Sequence, residues 1–318
     1  MEENNSIEMR DAFGDMLLEL GARYEKMIFL DADLHTSTKA SMFKERYPDR
    51  FYQFGIAEQN MFGAAAGLAA EGFIPFPSTF AVFASRRALD QLAISICYAN
   101  LNVKIPGSYV GIPTSRAGAS HNSIEDIAIM RIMTNLKVAD PASNNDLKAI
   151  MRAAMETTGP VYFRIARYTA GEIFPDSHVF TWGKGNLLLE GTDVTLFGTG
   201  IMSSLCLEAA GILSQRGISA EVVHLGSIKP IDREMITGSV MKTGCAVTAE
   251  NASVIGGFGD AVLEVIAEQY PVPVRKIGVR DRFIESGGIN ELLTLHNMQP
   301  LDIADAAVAV LQSKKQES

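Results

Sequence analysis

The sequence has 318 residues, 47% apolar, 20% charged and rich in glycine, which is the composition of a globular α/β chain long enough for two domains and excludes fibrous or disordered protein. A net charge of −9 argues against nucleic acid or an anionic membrane as partner, since both select a basic field. The N-terminal MEENNSIEMRD lacks the basic and apolar regions of a leader, and no window is apolar enough to cross a bilayer, so a cytoplasmic chain is expected. In chain order, Met9, Phe13, Met16, Leu17 and Leu20 recur at helical spacing, and an apolar run at 27–30 reads as a buried strand ending in Asp31-Ala32-Asp33. Strands are then expected at 51–54, 73–76, 103–110, 136–139 and 161–165, with helices at 57–70, 84–98, 124–134 and 144–157 between them.

After Arg167 the rhythm breaks in a stretch holding Gly171, Pro175, Gly183 and Gly185. A second series follows, with strands expected at 194–197, 221–225, 246–249 and 274–277 and helices at 203–216, 232–242, 259–269 and 300–311. Helices alternating with short continuous apolar strands imply mostly parallel sheets covered on both faces. The expected fold is α/β, as two three-layer α/β/α domains at 1–170 and 192–318 joined by a linker at 171–191. Cys97, Cys206 and Cys245 are odd in number and set among apolar residues, so they read as buried thiols, and no Cys or His spacing suits a metal.

Open sheets bind ligands outside the carboxyl ends of their strands. In the first domain those ends carry Asp31 and Asp33, the turn Gly55-Ile-Ala-Glu58, Ser78-Thr79-Phe80, the loop 111–123, and 164–167. Taken singly, the polar residues there have ordinary readings. Glu58 is a carboxylate at a helix start, Asp33 and Ser37 are helix caps, Phe80 and Phe83 are core, and His121 is structural. Behind Glu58 the helix runs on as Gly63-Ala-Ala-Ala-Gly67, whose small residues permit close packing of another backbone. Gly256-Gly-Phe-Gly259 lacks the Lys and Ser/Thr of a phosphate loop and is assigned no chemistry.

Taken together, Gly55 to Glu58, Thr79-Phe80-Ala-Val-Phe83 and Gly118-Ala-Ser-His121 resemble the pyrimidine domain of transketolases, with its GxxE turn, T-F-x-x-F segment and G-x-x-H loop. The resemblance spans nearly the whole chain and implies thiamine diphosphate as cofactor. It implies that Glu58 hydrogen-bonds ring nitrogen N1′ of the aminopyrimidine and favours the imino form that takes the C2 proton. A carboxyl group sharing a proton with a weakly basic ring must sit in a dry site. It further implies that Phe80 and Phe83 flank the flat ring, that Asp33 lies near the cofactor, and that His121 contacts sugar and moves protons. Ser37 and Arg167 match residues that hold substrate phosphate, with Arg116 the second choice of anion ligand.

The sequence departs from the family pattern at three places. Arg86 stands where a third aromatic wall of the cofactor pocket is common, Tyr109 where a sugar-binding histidine is, and Ala117 where an acidic residue precedes the loop glycine. The family holds Mg²⁺ and diphosphate with a GDG motif, and this chain contains no Asp-Gly pair. The resemblance therefore implies a partner subunit carrying the N-terminal half with its Mg²⁺, in an α2β2 heterotetramer with the cofactor shared between subunits. The activity so implied is transfer of a two-carbon ketol unit from an anionic ketose to an aldose. The alternatives are the β subunit of a 2-oxoacid dehydrogenase and a non-catalytic partner with a degenerate pocket.

Overall fold

The computed structural model describes residues 7–168 and 171–317; the first six residues and the domain boundary expected at 170 lie outside it. In the first half, helices α1 (Met9–Arg23), α2 (Ser41–Arg46), α3 (Glu58–Ala70), α4 (Ala81–Arg86), α5 (Asp126–Ile132) and α6 (Asn144–Glu156) are interleaved with strands. Those strands are β1 (Met27–Asp31), β2 (Phe51–Gln53), β3 (Ile74–Phe80), β4 (Lys104–Ser108), β5 (Lys137–Ala139) and β6 (Val161–Ile165). In the second half come β7 (Asn186–Leu189), β8 (Val194–Gly198), β9 (Ala220–His224), β10 (Ser227–Lys229), β11 (Ala246–Ser253) and β12 (Val274–Val279). The helices there are α7 (Met202–Gln215), α8 (Arg233–Thr243), α9 (Phe258–Gln269), α10 (Ile289–Leu295) and α11 (Pro300–Glu317).

The strands form one sheet in the order β10-β5-β6-β4-β3-β1-β2 and a second in the order β12-β11-β8-β9-β7. All pairings are parallel except β10 with β5 and β7 with β9. The continuous apolar strands are explained by burial on both faces. Met27 and Phe29 of β1 enter one core with α1 and α6, whereas Ile28 and Leu30 enter another with α3. In β8, Val194 and Leu196 join the first core and Phe197 the second. Each core therefore runs through residues of both sheets.

Four features differ from the sequence expectation. The helix expected at 84–98 is broken: α4 ends at Arg86 and a separate π-helical segment spans Gln91–Tyr98. The span expected to be a linker contains β7, an edge strand whose residues alternate between half-buried and exposed. Strand β10 leaves the second half to pair with β5 of the first sheet, matching Ser227 to Ala139. Finally, a buried cation ties the halves together. Arg164 donates to Asp126 (2.9 Å), to Asp140 (2.8 Å) and to the carbonyl of Asn251 in β11 (3.0 Å).

Gly63 and Gly67 on α3 are exposed, and among the described residues nothing beyond the neighbouring residues and the helix's own backbone comes within 4 Å of where a side chain would begin at either. The close backbone packing that these small residues permit is not made among the described residues.

The glycine turn before α9 wraps around a buried carboxylate. Glu250 is fully buried, and its carboxylate accepts from the amides of Phe258 (2.6 Å) and Gly259 (2.8 Å) at the start of the helix. Burial outweighs these bonds and pushes its carboxyl up to about 7 from an ordinary 4.5. The folded chain then holds a proton that the unfolded chain has already released, so stability falls as pH rises from about 4.5 to about 7. Glu250→Gln removes that dependence. In urea unfolding, the wild type is expected to lose about 2 kcal/mol relative to the variant between pH 5.5 and 8; an equal gap at both pH values would contradict this.

Candidate active site

Adjacent strands β2, β1, β3 and β4 bring the segments singled out in the sequence to one sheet edge. Asp31, fully buried at the end of β1, organises the nearest turn. Its carboxylate accepts from the Leu34 amide (3.1 Å) and from Gln53 Nε2 (2.7 Å), and lies 2.9 Å from His35 Nδ1. Gln53 Oε1 accepts in turn from the amides of Asp33 (3.0 Å) and Gly55 (2.8 Å), the latter at φ +66°. A glycine supplies that left-handed turn without steric cost and sends the chain into α3.

Glu58 is the first residue of α3 and 1% exposed. Its carboxylate sits in a cavity of about 400 Å³ lined also by Asp33, Ile56, Phe80, Phe83, Arg87 and His121. The Phe80 and Phe83 rings stack 6.0 Å apart at 19°, and His121 meets Phe83 edge-on at 5.6 Å. Ser120 Oγ lies 2.8 Å from His121 Nδ1, which leaves Nε2 for other partners. The group at Glu58 is Arg87: its Nη1 donates to both carboxylate oxygens at 2.9 Å, and its guanidinium carbon stands 4.3 Å from the Phe83 ring centroid.

The cavity thus gathers Glu58, Asp33, Phe80, Phe83 and His121 from separate segments. Arg86 is not among them. Successive helical side chains point about 100° apart, so Arg86 turns to Glu125 (3.6 Å) while Arg87 enters the cavity in its place. Arg87 lies four residues after Phe83, a spacing that brings helical side chains together and could have marked it in the sequence. Tyr109 does not line the cavity but stacks on Phe80 at 4.2 Å. Around Tyr109 lie Ser37, whose carbonyl accepts from the tyrosine hydroxyl (3.4 Å), and Arg167, 5.5 Å from the ring. Arg10, which the sequence reading passed over, donates to the tyrosine hydroxyl (3.1 Å) and to the Ser37 carbonyl (3.3 Å). Arg116 is exposed on a 3-10 turn outside the cavity.

A second constellation has the look of a catalytic triad and none of its access. Ser203 Oγ lies 2.7 Å from His224 Nδ1, and His224 Nε2 lies 3.0 Å from Asp146. All three are fully buried. Burial works to raise the Asp146 carboxyl, and hydrogen bonds from His178 and His224 outweigh it and hold it at about 2. With Asp146 on α6 and His224 on β9, the group fastens the two halves rather than meeting a substrate.

For a thiamine diphosphate cofactor the residues present fit one end. A buried carboxylate beside stacked aromatic rings suits an aminopyrimidine. Among the described residues no group of three His, Cys, Asp or Glu could hold a metal ion, and none of their helices is long and apolar enough to cross a membrane.

Comparison with known proteins identifies the family. Residues 5–171 match the family described as transketolase, pyrimidine binding domain, and residues 183–303 match transketolase, C-terminal domain. The chain is 44% identical over 306 residues to the 6-deoxy-6-sulfo-D-fructose transketolase subunit SqwH of Clostridium sp. (strain MSTE9), covering 96% of this chain and 95% of that one. It is 42% identical over 312 residues to a putative transketolase C-terminal section of Methanocaldococcus jannaschii, covering 97% of each. A solved structure described as a split gene transketolase, inactive beta4 tetramer, superposes with a TM-score of 0.91 at 46% identity, over 97% of this chain and 99% of that one. The chain belongs to the transketolase family, of which it comprises the pyrimidine-binding and C-terminal domains.

Proposed function

We propose that this chain is one subunit of a two-subunit, thiamine-diphosphate-dependent transketolase that moves a two-carbon ketol unit from an anionic ketose to an aldose. The observation that carries the reading is Glu58, a carboxylate 1% exposed, in a cavity of about 400 Å³ beside the stacked rings of Phe80 and Phe83. When bound, the cofactor supplies a carbanion equivalent that cleaves and remakes a bond next to a carbonyl. Glu58 holds a proton at the pyrimidine nitrogen, with Phe80 and Phe83 fixing the plane of the ring and Asp33 at the cavity rim. His121 stands at the same cavity to donate to sugar oxygens and move protons there. Arg167 and Ser37, gathered around Tyr109, are the first choice for a sugar's anionic group, with Arg116 further out on the loop.

The Mg²⁺ and diphosphate belong to a partner subunit carrying the N-terminal half, in an α2β2 assembly. The absence of an Asp-Gly pair supports this, as do the relative described as a transketolase C-terminal section and the open faces of Gly63 and Gly67. Ile56, 76% exposed at the cavity, adds an apolar contact for that partner.

The reconstituted pair, given a ketose phosphate with an aldose acceptor and, separately, a 2-oxoacid with an artificial electron acceptor, is expected to turn over only the first. Turnover of the 2-oxoacid alone would assign the chain to a 2-oxoacid dehydrogenase. Turnover of neither, in a pair that binds cofactor, would make it a non-catalytic subunit.

A further inference from the structure

The cavity that is suited to an aminopyrimidine has a flat, nitrogen-rich group of the chain itself in its wall. Arg87 Nη1 engages both oxygens of Glu58 at 2.9 Å, and the guanidinium lies over Phe83 at 4.3 Å. An aminopyrimidine asks for the same two things, a buried carboxylate to meet its ring nitrogen and an aromatic face to lie against. Both demands fall on the carboxylate and the ring that the guanidinium already engages, so the two compete for the same partners. Their freedom to yield is unequal. The Glu58 side chain is 1% exposed and fixed at the first turn of α3, whereas the Arg87 side chain is 45% exposed and can swing outward.

We propose that Arg87 is an internal occupant of the pyrimidine site: it caps Glu58 and Phe83 in the unliganded chain and must leave for an aminopyrimidine to seat. The inference rests on the assignment of this cavity to the cofactor's pyrimidine end. Apparent affinity falls by the fraction of time the site is free, so an arginine that is in place nine-tenths of the time weakens binding about tenfold. The occupant also gives the buried Glu58 carboxylate a partner while the site is free.

The test uses the full-length chain and 4-amino-5-hydroxymethyl-2-methylpyrimidine as probe, titrated by calorimetry into wild type, Arg87→Ala and Arg87→Gln. Thermal melting checks that each is folded, and Arg87→Gln, which keeps most of the side chain, serves if Arg87→Ala does not fold. The expected result is binding about tenfold tighter in the variants than in the wild type. A second readout is independent of affinity: the Arg87 Nε–H resonance of the wild type should move toward its free position as probe is added. Equal or weaker binding by folded variants would overturn the inference and leave the pyrimidine site standing, because Arg87 would then be a holder of the ring. No binding by any of the three would overturn the site assignment itself, and the inference with it.

Discussion

In the paired enzyme, Glu58→Gln is expected to slow deuterium exchange at the cofactor's thiazolium carbon by about 10²–10⁴-fold, with turnover falling in step. The substitution keeps the side chain's size and one hydrogen bond but removes the group that can hold a proton at the pyrimidine nitrogen. Because Glu58 is buried at the start of α3 beside Phe80 and Phe83, no other carboxylate of the cavity stands in for it; Asp33, the other acid lining the cavity, is exposed at the end of the β1 turn. A merely structural glutamate would give a variant with lowered stability and ordinary exchange. That outcome would move the chain to a non-catalytic role in its assembly.

The largest effect on stability is expected at Arg164. It is 1% exposed, and burial works against its charge, but Asp126 and Asp140 outweigh that and hold its guanidinium above the ordinary value. Asp140 is itself raised by burial, with Arg164 pulling the other way. One cation serves two carboxylates and the Asn251 carbonyl of the second sheet, and the buried phenol of Tyr162 donates to the same Asp126 at 2.6 Å. Arg164→Leu strands both acids in the interior and should lower the free energy of unfolding by about 3–5 kcal/mol in urea titrations at neutral pH. Adding Asp126→Asn and Asp140→Asn should recover part of that loss. A loss under about 1 kcal/mol for the single variant would show that water reaches the network and that it does not fasten the halves together.

Much of the fold is legible in the sequence because a strand buried on both faces has to be written as an uninterrupted apolar run. The run at β1 carries that signature, β6 and β8 carry it with Arg164 and Thr195 as single interruptions, and the helices between them repeat at 3.6 residues. What escapes has weak or misleading local chemistry. Strand β7 alternates between half-buried and exposed residues, and β10 is three residues long, so neither has a core run to betray it. The π-helical turn at Gln91–Tyr98 follows a break after Arg87 that apolar spacing alone does not reveal. A continuous apolar strand shows that both its faces are buried without naming what buries them, so the sequence does not reveal that the cores run through both sheets.

The site divides in the same way. Glu58, Phe80, Phe83 and His121 are legible because they occur in ordered segments at strand ends, and the cavity gathers them. The exchange of Arg86 for Arg87 is not, since it depends on a helical direction of about 100° per residue and on where α4 begins. Arg10 comes from α1, far from the motif segments, and reaches Tyr109 only through the tertiary fold.

The claim at the centre of this account is that the chain holds the cofactor by its pyrimidine end alone. It is tested most directly by calorimetric titration of thiamine diphosphate with Mg²⁺ into the purified chain and into the chain mixed with its partner subunit. Weak binding by the chain alone that does not depend on Mg²⁺, and tight, saturable, Mg²⁺-dependent binding by the mixture, is the expected result, and tight Mg²⁺-dependent binding by the chain alone would contradict it.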